Sequence, residues 1–356
     1  SLEILRAVFE NPEKLRPGVT SVAITQAAAQ QIAGIAQSMR QRGLDAARVA
    51  HFLDRVVFCL FAEDIGLLPE MIFTRIMEKS AGDPAKFSRF IGQLFEAMGH
   101  GGEFGMESIR HFDGNLFDDA SVIELTAEEI DRIVYTTRMD WSAIDPSILG
   151  TLFERGLDPS TRAQLGAHYT SREDIETLVE PVVMQPLRQE WTQLRERLEA
   201  DLASGRRKAR EIASQQVRAF LEDLAHLRVL DPACGSGNFL YVTLQKLKDL
   251  EKEVIIFAGQ RLGQSFFPLV NPEQLYGLEI NSYAHDLAQM TVWIGWLQWI
   301  RSNGFGSPPD PILRPLAGNF RRQDAILDLS DPANPKEPEW PEVDCIVVIR
   351  RFWATR

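Results

Sequence analysis

Residues 227–251 read LRVLDPACGSGNFLYVTLQKLKDLE, and this stretch decides the fold. Leu227 to Leu230 form a short apolar run that predicts a buried strand, with Asp231 at its carboxyl end. Gly235 and Gly237 permit a tight turn, and Phe239 to Leu250 continue with apolar residues at helical spacing. Strand, glycine loop and helix in that order predict an α/β unit of the nucleotide-binding kind. A bare Gly-x-Gly is equally compatible with an ordinary turn, so the neighbours must narrow it. A dinucleotide site opens its helix with three glycines on a pyrophosphate and carries an acid about 20 residues further on. Here the third glycine is missing, Asp231 stands at the mouth, and the next strand-end acid, Glu279 in QLYGLEI, comes 48 residues after Asp231. These departures disfavour a phosphate-bearing dinucleotide.

They suit a cofactor without phosphates that carries a sulfonium, an ammonium and a ribose. Asp231 can hold the amino-acid portion of S-adenosyl-L-methionine, directly or through water, while glycine backbone at 235 and 237 allows close approach. Glu279 can accept both ribose hydroxyls, and Ile280 falls where an adenine face would rest. Asp324 in RRQDAIL ends another expected strand and loop and can accept from the adenine amino group.

Around this core the chain divides by composition. Residues 1–155 predict a helical domain: AITQAAAQQIAGIAQSMRQRG and DAARVAHFLDRVVFCLFAEDIGLLP place apolar residues at helical spacing, with Gly43 and Pro69 as stops. Glu63 and Asp64 read as capping or solvated acids, and HFDGNLFDD (111–119) as a turn-rich link with solvated Asp118 and Asp119. Ser171 is a good N-cap with Asp174 at the capping-box position, so Gly166 to Thr170 predict a loop feeding a helix. Residues 191–226 read as a charged helical excursion whose Arg206-Arg207-Lys208 run is a solvated turn. The stripe of Trp293, Trp296 and Trp299 reads as core.

Composition excludes several classes. Three cysteines (Cys59, Cys234, Cys345) with no CxxC pair argue against structural zinc or a disulfide framework, predict no metal site, and favour a reducing, cytoplasmic setting. No stretch of about 18 uncharged apolar residues is present, so no membrane partner is expected. A net charge of −12 is a poor footprint for gripping a polyanion over the whole surface.

Taken together, the motifs resemble a known family. DPACGSGNFL is similar to motif I of the amino-methylating DNA methyltransferases, GAHYTS ahead of it to their motif X in the γ-class order, YGLEINSYAHDLAQMTVWIGWLQW to motif II and GNFRRQDAIL to motif III. With DWSAIDPSILGTLFERGLDP, PLRQEW and the helical first half, the chain resembles, over residues 1–347, the MmeI-like adenine-N6 DNA methyltransferases of type IIG restriction-modification systems. The resemblance implies a Rossmann-like, S-adenosylmethionine-dependent methyltransferase sheet over residues 156–348 behind the helical domain. It implies a cofactor pocket of Asp231, Ala233, Gly235, Gly237, Phe239, Glu279, Ile280, Asp324 and Ala325, with His168, Tyr169 and Thr170 closing over it. It also implies double-stranded DNA as partner of the whole enzyme.

The family's catalytic loop, Asn-Pro-Pro followed by Phe or Tyr, should come after the strand VDCIVV (343–348), where the chain instead reads IRRFWATR (349–356). Restoring one guanine before suitably chosen codons for Val348 to Arg356 yields Gly-Asn-Pro-Pro-Phe-Leu-Gly-Asp-Lys, and the Leu and Gly after Phe are forced by Phe352, Trp353 and Ala354. The expectation is an N-terminal methyltransferase fragment ended by a frameshift, with no catalytic residue of its own. It should bind cofactor weakly, bind DNA weakly or not at all, and expose residues 343–348 as an edge through which chains associate. Two alternatives stay open: methylation of protein glutamine or RNA through a similar loop, and a non-catalytic interaction module.

Overall fold

A computed structural model of the chain describes residues 21–112, 116–146, 172–206, 208–305, 312–316, 318–328, 331 and 334–348. It divides into two compact units, residues 1–167 with 310–312 and residues 168–309 with 313–356. The boundary expected near residue 155 and the 349–356 tail lie outside the described residues.

The first unit is built on α1 (Ser21–Gln41), α2 (Ala46–Asp64), α3 (Ile72–Lys79) and α4 (Pro84–His100), followed by β1 (Gly102–Phe104), β2 (Glu107–Ile109) and α5 (Ala127–Thr136). Asp45 caps α2 by accepting from Arg48 N, and from Phe52 to Glu63 every residue of α2 is buried, which makes it the central helix. It ends five residues before Pro69, because its last acids turn away to cap other segments. Glu63 accepts from Phe73 N (2.6 Å) and Thr74 N (3.0 Å) at the start of α3, and Asp64 accepts from Trp141 N (2.6 Å). Burial pushes the Glu63 carboxyl up, and those bonds to the amides of Thr74 and Phe73 oppose it. Arg55, also buried, donates to Asp119 O (2.7 Å) and Ser121 O (2.8 Å) and lies 4.7 Å over the Phe95 ring. The link at 111–119 is thereby anchored, with Phe112 and Phe117 in an edge-on cluster with Phe58. The antiparallel β1–β2 hairpin was not anticipated: strands of three residues are too short to show alternation.

The second unit opens with α6 (Arg172–Val179), which passes through a π-helical turn (Glu180–Met184) into α7 (Gln185–Ala203) and then α8 (Ala209–His226). Pro181 lies within that turn and Pro186 just after it; each lacks a backbone N–H, and the helix widens where the ladder is interrupted. The excursion is a helical hairpin seated by Trp191, whose ring packs 5.4 Å from Phe220 and 5.3 Å from Phe257 and whose indole N–H reaches Glu253.

Then come β3 (Val229–Asp231), α9 (Asn238–Phe257), β4 (Leu275–Leu278), α10 (Ser282–Ser302), β5 (Phe320–Arg321) and β6 (Cys345–Ile346). The sheet is parallel, in the order β5-β4-β3-β6, with Leu230 opposite Tyr276 on one side and Ile346 on the other. The chain steps outward from β3 to β5 and then returns to β3's other side, so β3 is the switch point. In such sheets ligands bind outside the carboxyl ends of the strands at that point. A buried pair stiffens the approach to β4: Lys248 Nζ donates to Glu251 (2.7 Å) and Val270 O (3.0 Å) and lies 4.4 Å over the Trp299 ring. Trp293 and Trp299 are buried and Trp296 half-buried. Among the described residues, no helix is long and apolar enough to cross a membrane.

Candidate cofactor site

Asp231 ends β3 and is 3% exposed. Its Oδ1 accepts from Ala233 N (3.0 Å), which starts the loop with an Asx turn. Burial first, and the Glu279 carboxylate second, push its pKa up to about 7. The loop is fixed to the sheet by Cys234 N donating to Leu278 O (3.1 Å). Gly277 makes room for that contact: a Cβ there would lie 2.8 Å from Cys234 Sγ and 2.9 Å from the Phe320 ring.

The two glycines do different work. Both take left-handed backbone, φ +51° at Gly235 and +81° at Gly237. A Cβ on Gly237 would lie 3.0 Å from the Ala288 backbone, so this glycine lets the start of α9 lie against α10. A Cβ on Gly235 would meet nothing within 4 Å, so this glycine borders open space.

Glu279 follows β4 and its N–H donates to Arg321 O (3.1 Å). Its Oε2 accepts from Gly235 N (2.9 Å) and its Oε1 from Asn281 N (2.8 Å), so one carboxylate ties the glycine loop to the turn before α10. Asn281 in turn accepts from Ala284 N (3.1 Å), while Ile280 between them is 57% exposed. Phe239 is buried on the first turn of α9, and Ala233 is exposed.

Asp324 and Ala325 follow β5, the strand bonded to β4, and are half-buried. Asp324 Oδ1 accepts from Ile326 N (2.8 Å) and Leu327 N (3.2 Å). Thus Asp231, Ala233, Gly235, Gly237 and Glu279 share one loop system, and Asp324 and Ala325 stand at the end of the neighbouring strand. His168, Tyr169 and Thr170 lie outside the described residues.

Sequence reasoning missed His285. Its Nε2 lies 3.3 Å from Phe320 O and its Nδ1 2.8 Å from Asp286, and the bond to Asp286 raises its pKa. It joins α10 to β5, a contact for which no spacing in the chain gives a signal.

The residues fit a phosphate-free nucleoside cofactor. The Gly235 amide, which in a dinucleotide site would face a phosphate, already donates to the protein's own carboxylate. Two interacting acids, Asp231 and Glu279, would repel phosphate and favour a cation.

Two family models match the chain. Residues 47–117 match the family described as the MmeI helicase spacer domain, and residues 206–302 match the MmeI DNA-methyltransferase domain. The solved structure of the type IIL restriction-modification enzyme MmeI in complex with DNA is similar over 81% of this chain, with a TM-score of 0.67 and 26% identity. Both matched segments are similar to parts of MmeI. The MmeI-like methyltransferase match runs from before α8 to the end of α10, taking in Asp231, both loop glycines and Glu279 and stopping short of Asp324. DNA methyltransferase A of Bacillus subtilis is 28% identical over 71% of the chain. A putative type II restriction enzyme and methyltransferase of Methanocaldococcus jannaschii is 24% identical over 69% of it. The chain spans 27% and 24% of the lengths of these two relatives and 38% of the solved MmeI chain.

Proposed function

We propose that this chain binds S-adenosyl-L-methionine outside the carboxyl ends of β3 and β4 and serves adenine-N6 methylation of double-stranded DNA in a restriction-modification system. The observation that carries the cofactor reading is the Glu279 carboxylate bridging Gly235 N and Asn281 N at the switch point of a parallel sheet. Each carboxylate oxygen has a second lone pair for a ribose hydroxyl. Asp231 would pair with the ammonium of the amino-acid portion, and Ile280, 57% exposed, would offer an apolar face to the base. Tyr169 and Thr170, with His168, would close over the ligand. The cofactor supplies a methyl group activated by its sulfonium; the chain's residues bind and orient it. The family match supports DNA as the substrate, and the resemblance of the motifs supports adenine N6.

The 356 residues include no Asn-Pro-Pro-aromatic sequence, the group that would orient the amine of a flipped adenine, so this polypeptide is expected to bind cofactor without turnover. Calorimetry with S-adenosylhomocysteine should give a Kd of tens to hundreds of micromolar, about 5 to 6 kcal/mol, and Glu279→Ala should weaken it at least about tenfold. Equal affinities for both proteins would refute the ribose assignment, and tritiated-methyl incorporation into mixed-sequence DNA above background would refute the lack of turnover. β6 and the residues just after it, with Ile346 46% and Val348 44% exposed, are the proposed edge for self-association; a strictly monomeric species at high concentration in light scattering would contradict that.

A further inference from the structure

The loop that carries Asp324 is held by a segment to which neither the motifs nor the family matches assign a role. Trp340 Nε1 donates to Ala325 O (2.8 Å), directly after Asp324. The preceding carbonyl, Glu339 O, accepts from Gln323 Nε2 (3.2 Å) and Arg321 Nη1 (3.4 Å), on the other side of Asp324. The connection from β5 to β6 therefore returns across the loop and grips it at 321, 323 and 325. An antiparallel bridge between Asp328 and Lys336 closes the base of the return. Asp324 itself spends Oδ1 on the amides of Ile326 and Leu327, which leaves Oδ2 to be aimed by the shape of the loop. The outer surface beside the clasp is apolar: Ile326 is 81% exposed, Leu327 39% and Trp340 41%. An indole that half-exposed adds little burial, so its fixed element is the N–H bond.

We propose that Trp340 is a positioning residue for the adenine end of the cofactor site, setting the direction in which the Asp324 carboxylate meets the exocyclic amine. The proposal rests on the S-adenosylmethionine reading above and adds to it a determinant of selectivity outside the motifs. Its signature is discrimination rather than affinity alone. A carboxylate aimed at an amino group should reject the analogue whose 6-amino group is replaced by a carbonyl, because two acceptors would then face each other.

The test is calorimetric titration of the wild-type chain, Trp340→Phe and Gln323→Ala with S-adenosylhomocysteine and with S-inosylhomocysteine, its 6-oxo analogue. The wild type should prefer the amino compound by about tenfold or more. Trp340→Phe keeps the ring and removes the donor, so it should bind the amino compound about fivefold more weakly, in line with loss of one neutral hydrogen bond, and the oxo compound nearly unchanged. Its preference collapses accordingly. Gln323→Ala, which cuts a second contact of the same clasp, should shift the preference the same way by a smaller factor and carries the test if the Trp340 variant does not fold. A preference unchanged in the folded variants overturns the positioning role while the cofactor reading stands. Wild type binding both compounds equally also overturns it, and wild type binding neither overturns the cofactor reading and this proposal together.

Discussion

Asp231→Asn is expected to raise the melting temperature of the protein at pH 8 and to abolish cofactor binding. The carboxyl is 3% exposed and its pKa is pushed up to about 7 by burial and by Glu279, against an ordinary value of 3.8. A carboxyl whose folded pKa is raised binds more protons folded than unfolded. Stability therefore falls as pH rises from about 4 to about 7 and levels off above, where the buried group is ionised at a cost. Asparagine is nearly isosteric, keeps an oxygen to accept from Ala233 N, and carries no charge. At pH 8 its gain should be roughly 2–4 kcal/mol, a rise of about 5–10 °C in the midpoint. At pH 5 the folded wild type is protonated while the unfolded chain is largely ionised, so the gain should shrink to about 1–2 kcal/mol, and it should vanish below about pH 4. Thermal unfolding followed by circular dichroism at both pH values checks this, and an equal shift at both would show that ionisation is not the cause. Loss of binding in the more stable variant would mark the charge as kept for the ligand rather than for the fold.

The second large effect separates the two loop glycines. Gly237→Ala must place a methyl against the Ala288 backbone at 3.0 Å and adopt φ +81°, so α9 has to move away from α10. A loss of about 3 kcal/mol or more is expected, a fall of about 6–12 °C. Gly235→Ala has open space for its methyl and only the left-handed backbone to sustain, which costs about 1 kcal/mol. Its methyl enters the space assigned to the cofactor, so S-adenosylhomocysteine binding should fall at least about tenfold while the fold stays intact. Differential scanning calorimetry and ligand titration on the two variants check the pair. If Gly235→Ala bound normally, or if Gly237→Ala unfolded no earlier than wild type, the division of labour would be wrong.

The parallel sheet was legible because its signals are local. Asp231 and Glu279 each close a short apolar run, and Gly235 and Gly237 sit between a strand and a helix; adjacent residues suffice to read both. The pairing of β6 with β3 is not local and no pattern in the chain gives it. What escaped was carried by contacts between distant residues. The end of α2 depends on Glu63 and Asp64 reaching Phe73 and Trp141, so the chain leaves the helix before Pro69. The Lys248–Glu251 pair, the His285 contact to β5 and the Trp340 clasp join segments 15 to 35 residues apart or pair groups whose burial only the fold determines. The site was legible as a set of residue types, whereas the state of Glu279 was not. Its bond to Gly235 N spans 44 residues and is what turns a glycine loop away from phosphate.

That last point gives the most direct test. Titration of the wild-type protein with S-adenosylhomocysteine and with NAD, side by side in one calorimetric experiment at pH 8, compares a zwitterionic phosphate-free ligand with a pyrophosphate ligand at the same loop. The account predicts binding of S-adenosylhomocysteine in the range of tens to hundreds of micromolar and no heat with NAD at about ten times that concentration. Binding of NAD as tight as or tighter than S-adenosylhomocysteine would contradict it, because Asp231 and Glu279 would then not be shaping the site against phosphate.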